Sequence, residues 1–216
     1  MKLFLSSAGI KPETKDAFLN LIGKDPEECV VAFIPTACDL EEDKSYVQWT
    51  IDQLEELGLK ISTIDLKGEN ERSLYDKLSK VDIICVNGGN TFYLLDWVKT
   101  TGFDKIVKKL LDEGKVYLGI SAGSYICCPT IEVSTWKNHD NNIINLKDLT
   151  GINLVNFLMF VHYEDKYKNV VEDGIKTTSL PLAVLTNQQA IVVDGDNISL
   201  AGPKEVLTYN NFKFTG

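Results

Sequence analysis

Short apolar runs rich in β-branched residues alternate with longer amphipathic stretches over the first 120 residues of the chain. The runs Val30–Pro35, Val81–Val86 and Val116–Ile120 are typical of strands that are buried on both faces. Between them, stretches such as Pro12–Ile22 and Tyr46–Leu57 have the apolar spacing of helices. This β-α-β-α order predicts a mostly parallel sheet with helices on both faces, because parallel neighbours need crossover connections.

The helix expected over Tyr46–Leu57 carries its large apolar residues at helical spacing. We predict that the following side chains face the core: Trp49, Ile51, Leu54 and Leu57.

The alternation changes after about residue 130. Phe157–His162 reads as a further strand, and Ala190–Val193 with Ile198–Leu200 predicts an antiparallel hairpin near the C-terminus. We find no internal repeat, linker or shift in composition. The sequence therefore predicts a single α/β domain over residues 1–216 with a C-terminal antiparallel hairpin.

The charge of the chain limits its partners. Lysine and arginine number 22 against 31 aspartates and glutamates, for a formal net charge of −9. Nucleic acid and anionic membrane surfaces select clustered positive charge, so the balance predicts neither as a partner. A bilayer-spanning segment needs about 18–20 apolar residues in a row, and no run approaches that length.

The five cysteines are odd in number and have no CxxC spacing, which is typical of reduced thiols. The N-terminal segment meets Lys11 and Pro12 too soon for a signal peptide. We therefore expect a cytoplasmic protein.

The pentapeptide Gly119–Gly123 fits the pattern G-x-S-x-G. It follows an apolar strand and precedes a predicted helix, which is the setting of a nucleophile elbow. The flanking glycines permit a sharp turn that exposes the Ser121 hydroxyl at the carboxyl end of the sheet, where open α/β sheets bind ligands. Ser121 is the candidate nucleophile. A plain βα turn with small packing residues is the alternative.

A serine hydroxyl needs a general base to accept its proton, and the chain offers only His139 and His162. His162 ends a predicted strand, whereas His139 lies in a polar stretch that reads as an exposed loop. We predict His162 as the base.

A carboxylate usually orients such a histidine. Asp140 lies between the serine and the histidine in the chain, and Glu164 follows the histidine by two positions. Glu132 and Asp165 are also available, and the spacing does not decide among these four.

An oxyanion hole needs two backbone N–H groups near the nucleophile. The amide of Ala122 is one candidate, and the tandem-glycine segment Asn87–Thr91 is placed to supply the other. Tandem glycines let the backbone approach a ligand closely, so we also predict substrate contacts from Gly88, Asn90 and Thr91.

The chain lacks HExxH and any paired histidine spacing, so we expect no metal site. The tandem-glycine segment lacks both GxGxxG and the GK[ST] ending of a phosphate-binding loop. We expect no cofactor.

Three blocks, Gly88–Phe92, Gly119–Gly123 and Cys128–Ile131, together resemble peptidase family S51, which contains the aspartyl dipeptidases (peptidase E) and the cyanophycinases. The resemblance implies a flavodoxin-like fold related to the class I glutamine amidotransferases. It also implies Ser121 as nucleophile, His162 as base, and the amides of Gly89 and Ala122 as the oxyanion hole.

Two features depart from that family's pattern. When the chain is aligned with the family without gaps, the position of the family's triad acid falls near Trp136. A small insertion in the alignment brings Asp140 to that position. Glu164 instead has the spacing from His162 that the related amidotransferases use. No arginine follows Arg72, which leaves Lys166 or Lys168 as cations for an aspartate side chain, without the bidentate geometry of arginine. The triad acid and aspartate specificity are both left open.

These observations predict a serine-type peptidase of dipeptides or other small peptides, acting through an acyl-enzyme as a monomer or homodimer. Ester or isopeptide hydrolysis is the enzymatic alternative. A binding protein that keeps the fold without a working triad is the alternative of another class.

Overall fold

A computed structural model describes residues 1–137 and 140–216. In these residues the strands are, in chain order, β1 (Lys2–Ser6), β2 (Val30–Ile34), β3 (Lys60–Thr63), β4 (Ile83–Val86), β5 (Val116–Ile120), β6 (Leu158–Phe160), β7 (Leu182–Val184), β8 (Ala190–Asp194), β9 (Asn197–Ala201) and β10 (Leu207–Tyr209). The α-helices are α1 (Pro12–Ile22), α2 (Ser45–Glu56), α3 (Glu71–Leu78), α4 (Thr91–Thr101), α5 (Phe103–Asp112), α6 (Ala122–Tyr125) and α7 (Lys168–Gly174).

The larger sheet has the strand order β3-β2-β4-β5-β1-β8-β9. Neighbours from β3 to β1 in this order are parallel, so the carboxyl ends of these strands meet at one edge. The fold class predicted from the sequence is confirmed. The predicted hairpin also forms, and because β8 pairs antiparallel with β1 it extends the main sheet.

A smaller sheet has the order β10-β7-β6. Strands β6 and β7 are parallel, and β10 pairs antiparallel with β7. The sequence predicted only β6 of this sheet, which lies within the apolar run Phe157–Val161. All three strands are three residues long, so each leaves little periodicity to detect.

The core lies on both faces of the larger sheet, as alternation along β1 illustrates. Phe4 packs on one face in a cluster with Phe18 of α1 and Leu54 of α2. Leu3 and Leu5 belong to the cluster on the other face, which contains the apolar side chains of α3, α4 and α5. Helices therefore cover both faces, as the β-α-β-α order predicted.

The prediction that Trp49 faces the core is wrong. Its side chain is 42% exposed, whereas Leu54 on the same helix is 1% exposed. The next residue, Thr50, is buried instead, so the inward stripe of α2 lies about 100° around the helix from Trp49. Lys11 Nζ lies over the ring of Trp49, 4.1 Å from its centroid.

No helix among the described residues has both the length and the apolar character that crossing a bilayer requires.

Replacing Phe18 with alanine should lower the free energy of unfolding by about 3–5 kcal/mol, because the ring is fully buried. Its centroid lies 5.2 Å from that of Phe4 in an edge-on arrangement. Urea denaturation followed by circular dichroism measures the loss. Leu207→Ala, at a side chain 41% exposed, is the control and should cost no more than about 1 kcal/mol. Equal losses in the two variants would contradict this account of the core.

Candidate active site

The turn after β5 holds Ser121 in an uncommon backbone conformation. Its φ is 50° and its ψ is −108°, a region that residues with a side chain rarely adopt. The turn joins β5 directly to α6, so the side chain stands at the carboxyl edge of the parallel sheet. Strain of this kind persists only where the surrounding structure enforces it.

Two close backbone approaches enforce the turn. A Cβ atom on Gly123 would lie 2.0 Å from the carbonyl oxygen of Val86 in β4. A Cβ atom on Gly119 would lie 2.7 Å from the carbonyl oxygen of Gly123. Only glycine permits these distances, which explains why both ends of the G-x-S-x-G pattern lack a side chain.

Hydrogen bonds from buried side chains fix the same turn. The Ser124 hydroxyl is within 2.8 Å of the carbonyl oxygens of Ser6 and Gly119, and the Tyr117 hydroxyl donates to that of Gly123 at 2.7 Å. The Ser121 amide donates to the Ser6 carbonyl oxygen at 3.0 Å. The elbow is thereby tied to β1 as well as to its own strand.

His162 meets this serine from the other sheet. It follows β6, and its Nε2 atom lies 2.9 Å from Ser121 Oγ. Its own φ is 55°, so both members of the pair have a positive φ. The structure therefore brings together the two residues that the sequence proposed as nucleophile and base.

Asn187 contacts the other imidazole nitrogen of His162, Nδ1. Its Oδ1 lies 2.6 Å from His162 Nδ1. An amide oxygen only accepts hydrogen bonds, so the proton belongs on Nδ1. In the neutral ring this leaves the lone pair of Nε2 free to accept from the Ser121 hydroxyl.

Ser7, at the end of β1, connects the histidine to the asparagine. Its hydroxyl accepts a hydrogen bond from the His162 backbone amide at 2.8 Å and lies 3.4 Å from Asn187 Oδ1. The buried Gln189 side chain holds the turn that carries Asn187: it accepts from the Thr186 amide at 2.8 Å and donates to two backbone carbonyl oxygens. These hydrogen bonds hold the His162 backbone and the Asn187 side chain, and thereby fix the rotation of the imidazole ring.

Sequence reasoning missed both Asn187 and Ser7. The search for a residue to orient the histidine considered only carboxylates, whereas an amide oxygen makes the same contact here. The available signal was a short polar stretch, Thr186–Gln189, between two apolar runs.

The two candidate acids have hydrogen-bond or ion-pair partners of their own. Asp140 Oδ2 accepts hydrogen bonds from the amide and hydroxyl of Thr91, at the start of α4. Glu164 is exposed and pairs with Lys166 at 2.9 Å. The roles of Asp140 and Glu164 as triad acid stay predictions. The alternative base, His139, lies outside the described residues.

The amides predicted for the oxyanion hole lie beside Ser121. Ala122 is the first residue of α6, and the first amides of a helix have no carbonyl acceptor within it. Gly89 has a φ of 134°, and its amide has no hydrogen-bond acceptor among residues 1–137 and 140–216. A Cβ atom on Gly89 would lie 2.3 Å from the Ala37 carbonyl oxygen, so this backbone also requires glycine. Their role in catalysis stays a prediction.

Three further residues, Gly88, Asn90 and Thr91, were predicted to contact the substrate. A Cβ atom on Gly88 would lie 3.2 Å from that of Ser121, so this glycine forms a wall beside the nucleophile. Asn90 caps α4 by accepting from the Tyr93 amide at 3.0 Å, and its Nδ2 donates to the Asn141 carbonyl oxygen at 2.9 Å. Thr91 is fully buried. Substrate contacts by Gly88, Asn90 and Thr91 stay predictions, but these bonds give Asn90 and Thr91 a structural role.

A cleft of about 240 Å³ opens over Ser121 and His162. It is smaller than the roughly 300–1,000 Å³ of pockets for drug-sized ligands, so it suits a small group. No cluster of three or more His, Cys, Asp or Glu side chains suited to a metal ion occurs among the residues described. The residues that line the cleft are Ser7, Ala8, Glu41, Tyr46, Trp49, Thr50, Asn87, Gly88, Gly89, Ile120, Ser121, Asp140 and His162.

Lys137 lies beneath the loop that presents the histidine. Its Nζ donates to the Val161 carbonyl oxygen at 2.7 Å and lies over the Phe160 ring, 4.9 Å from the centroid. Burial lowers the pKa of Lys137 to about 8, although the nearby carboxylates of Asp140 and Glu164 oppose that shift.

Comparison with known proteins identifies relatives of this chain. The sequence profile of peptidase family S51 matches residues 3–201. An uncharacterised peptidase of Pasteurella multocida (strain Pm70) is 34% identical over 204 residues, which cover 93% of this chain and 97% of that protein. Peptidase E of Nostoc sp. (strain PCC 7120) is 29% identical over 144 residues, covering 67% of this chain and 55% of that protein.

A solved structure is also similar. The crystal structure of a candidate peptidase E protein from Listeria monocytogenes EGD-e has a TM-score of 0.82 and 32% identity, covering 94% of this chain and 98% of that chain. The family resemblance stated from the sequence is confirmed.

Replacing Lys137 with methionine should remove a pH dependence of stability. The unfolded chain keeps the lysine proton up to its ordinary pKa of 10.5, whereas the folded protein releases it near 8. The unfolded state thus binds more protons between these values, so the wild-type free energy of unfolding should rise with pH there relative to Lys137→Met. Urea denaturation at several pH values measures the difference.

Lys176→Met is the control. A hydrogen bond to Asp173 raises the pKa of Lys176, so the difference in the free energy of unfolding between the wild type and this variant should not rise between pH 8 and 10. If the difference in the free energy of unfolding between the wild type and Lys137→Met did not change with pH, the lowered pKa of Lys137 would be contradicted.

Proposed function

The chain belongs to peptidase family S51, and we propose that it is a serine peptidase that hydrolyses dipeptides or other small peptides through an acyl-enzyme. One observation carries the proposal. Ser121 Oγ lies 2.9 Å from His162 Nε2, at a strained turn that exposes the hydroxyl to a cleft. A nucleophile within hydrogen-bonding distance of a base, itself oriented by a third group, is the usual arrangement for covalent acyl transfer.

Acylation begins when Ser121 Oγ attacks the carbonyl carbon of the scissile peptide bond. His162 Nε2 takes the hydroxyl proton as the C–O bond forms, and the carbonyl oxygen becomes an oxyanion that accepts from the amides of Gly89 and Ala122. Collapse of this intermediate breaks the C–N bond, and His162 gives its proton to the leaving amine. The product is an ester of Ser121 and a free amine.

Deacylation repeats these steps with water. His162 takes a proton from the water molecule as its oxygen attacks the ester carbon. The second intermediate then releases the carboxylic acid product, and the proton returns to Ser121 Oγ. No other group is needed to balance the reaction.

We assign the orienting role to Asn187. Its Oδ1 fixes the imidazole tautomer through the 2.6 Å contact with Nδ1. A neutral amide stabilises the imidazolium less than a carboxylate does, because it carries no full opposite charge. Asn187 is therefore a positioning residue whose main contribution is the tautomer and the rotation of the ring.

The size of the cleft supports small substrates. At about 240 Å³ it accommodates part of a short peptide. We also propose a cytoplasmic location, which is supported by the five cysteines, all free and buried.

Intact mass spectrometry with a small fluorophosphonate tests the proposed nucleophile. We expect labelling of the wild-type protein, with both labelling and dipeptide hydrolysis reduced at least about a thousandfold in Ser121→Ala and in His162→Ala. Ser134→Ala removes another buried hydroxyl, which donates only to the Ile131 carbonyl oxygen, and should leave both activities unchanged. Wild-type turnover by Ser121→Ala would overturn the serine mechanism. Absence of labelling and of turnover in the wild type would favour a binding protein.

Substitutions at Asn187 test the orienting role. Asn187→Ala should lower kcat/KM roughly a hundredfold, because the ring loses its fixed tautomer. Asn187→Asp should retain activity and move the acid limb of the pH profile to higher pH, because a carboxylate raises the pKa of the adjacent histidine. Asn169→Ala, at an exposed position in α7, is the control. Identical profiles for Asn187→Asp and the wild type would exclude contact with the base.

The proposed oxyanion amide is tested by Gly89→Ala. The added methyl group would lie 2.3 Å from the Ala37 carbonyl oxygen and must displace the amide, so kcat should fall roughly a hundredfold. Gly68→Ala is the matched control: its φ is also positive, at 78°, but no atom lies within 4 Å of the new Cβ. If Gly89→Ala lowered kcat no more than Gly68→Ala, this amide would not stabilise the transition state.

A further inference from the structure

One face of α2 forms a wall of the cleft that holds the nucleophile. Tyr46, Trp49 and Thr50 all line the cleft, and their spacing of three and four positions places them on one side of the helix. Asn87, which follows β4 directly before the tandem glycines, lines the same cleft. The side chains that α2 and the end of β4 present to the cleft are therefore uncharged.

The side-chain amide of Asn87 lacks a partner for its nitrogen. The residue is 0% exposed, and Nδ2 has no hydrogen-bond partner among residues 1–137 and 140–216. The Thr50 hydroxyl, which donates to the Tyr46 carbonyl oxygen at 2.9 Å, lies 3.4 Å from Asn87 Oδ1. The oxygen of the amide thus faces α2, whereas the nitrogen is a donor without an acceptor. A buried polar group in this state raises the free energy of the folded protein until an acceptor reaches it.

The Tyr46 hydroxyl is a second donor of the same kind. It is buried and has no hydrogen-bond partner within the described part of the chain. Burial raises the pKa of Tyr46, and nearby Cys38 and Glu41 add to the shift, so the hydroxyl keeps its proton. Buried polar groups are normally paired, so two unpaired donors on residues that line one cleft indicate that an acceptor binds there.

Both donors are uncharged, which limits the kind of acceptor that they suit. An ionised carboxylate loses a large hydration free energy when it is buried, and a charged partner is normally needed to offset that loss. A neutral carbonyl oxygen loses less, and a neutral N–H or O–H group is sufficient to compensate it. Asn87 and Tyr46 therefore match a neutral carbonyl oxygen better than a carboxylate.

We infer that Asn87 Nδ2 and the Tyr46 hydroxyl donate to a neutral carbonyl oxygen of the substrate and are specificity-determining groups of this cleft. The inference rests on the proposed function and narrows its substrate class to short peptides that carry such an oxygen in addition to the scissile carbonyl group. The oxygen belongs either to a side-chain amide, as in asparagine, or to a neighbouring main-chain amide. Both sources provide the same chemistry.

Calorimetric titration of the Ser121→Ala variant with dipeptide amides tests the selection without requiring turnover. Each ligand joins alanine to asparagine, leucine or aspartate, in both orders, because these three side chains have the same branching and number of heavy atoms. We expect the better asparagine ligand to bind about tenfold more tightly than its leucine and aspartate counterparts. Equal affinities for asparagine and leucine, both lowered by loss of the Tyr46 hydroxyl, would instead assign the donors to a main-chain carbonyl oxygen.

Tyr46→Phe and Asn87→Leu in the same background separate a binding role from a structural one. Each should lower the affinity for the preferred ligand about tenfold. Because the hydroxyl has no partner in the free protein, Tyr46→Phe should not lower the midpoint of thermal unfolding. Tyr75→Phe is the matched control: its hydroxyl donates to Glu113 at 3.1 Å on the surface, so the affinity should not change. Tyr46→Phe decides the test alone if Asn87→Leu does not fold.

Three results would overturn the inference: tighter binding of the aspartate ligands, no binding of any ligand, or an unchanged affinity in Tyr46→Phe. Fluorophosphonate labelling of the wild-type protein is read separately. Labelling together with an unchanged affinity in Tyr46→Phe would leave the proposed function standing without this inference. A lowered affinity without labelling would leave a peptide-binding cleft and remove the proposed catalysis.

Discussion

The close packing of the turn after β5 against β4 is the constraint on which the active site depends. With Gly123 against the Val86 carbonyl oxygen, α6 starts directly at the end of the strand, and Ser121 takes a φ of 50°. A larger residue at Gly123 would separate helix from sheet and relax the turn. The hydroxyl would then no longer stand at the sheet edge, and the amide of Ala122 would no longer lie beside it. The positions of Ser121 and of one of the two proposed oxyanion amides are consequences of one backbone contact.

The other half of the site comes from the region where the two sheets meet. His162 follows β6 and Asn187 follows β7, and Ser7 at the end of β1 contacts both. The serine is thus held by the larger sheet and the histidine by the smaller one, with Ser7 as the anchor between them. Lys137 donates to the carbonyl oxygen of Val161, directly before the histidine. A base fixed in this way loses little freedom when the substrate binds, which is the physical advantage of building a site on rigid strand ends.

The proposed catalytic groups are distinct from the charged side chains that line the cleft. The proposed reaction uses a hydroxyl, an imidazole, an amide side chain and two backbone amides, none of which carries a permanent charge. The permanent charges, those of Glu41 and Asp140, lie on the walls.

Local patterns in the sequence determined the parallel sheet, its helices and the elbow, because strand and helix periodicity and the glycines of a tight turn act over a few neighbouring residues. Ser121 followed from that context, and His162 from the scarcity of histidines. Only the tertiary structure decided what surrounds them. Ser7 meets the His162 amide across 155 positions of sequence, and Asn187 meets the imidazole across 25. Such contacts depend on strand register and on how two sheets pack, and neither leaves a periodic signal. The outward turn of Trp49 and the acidic walls of the cleft were decided in the same way, by packing between distant elements.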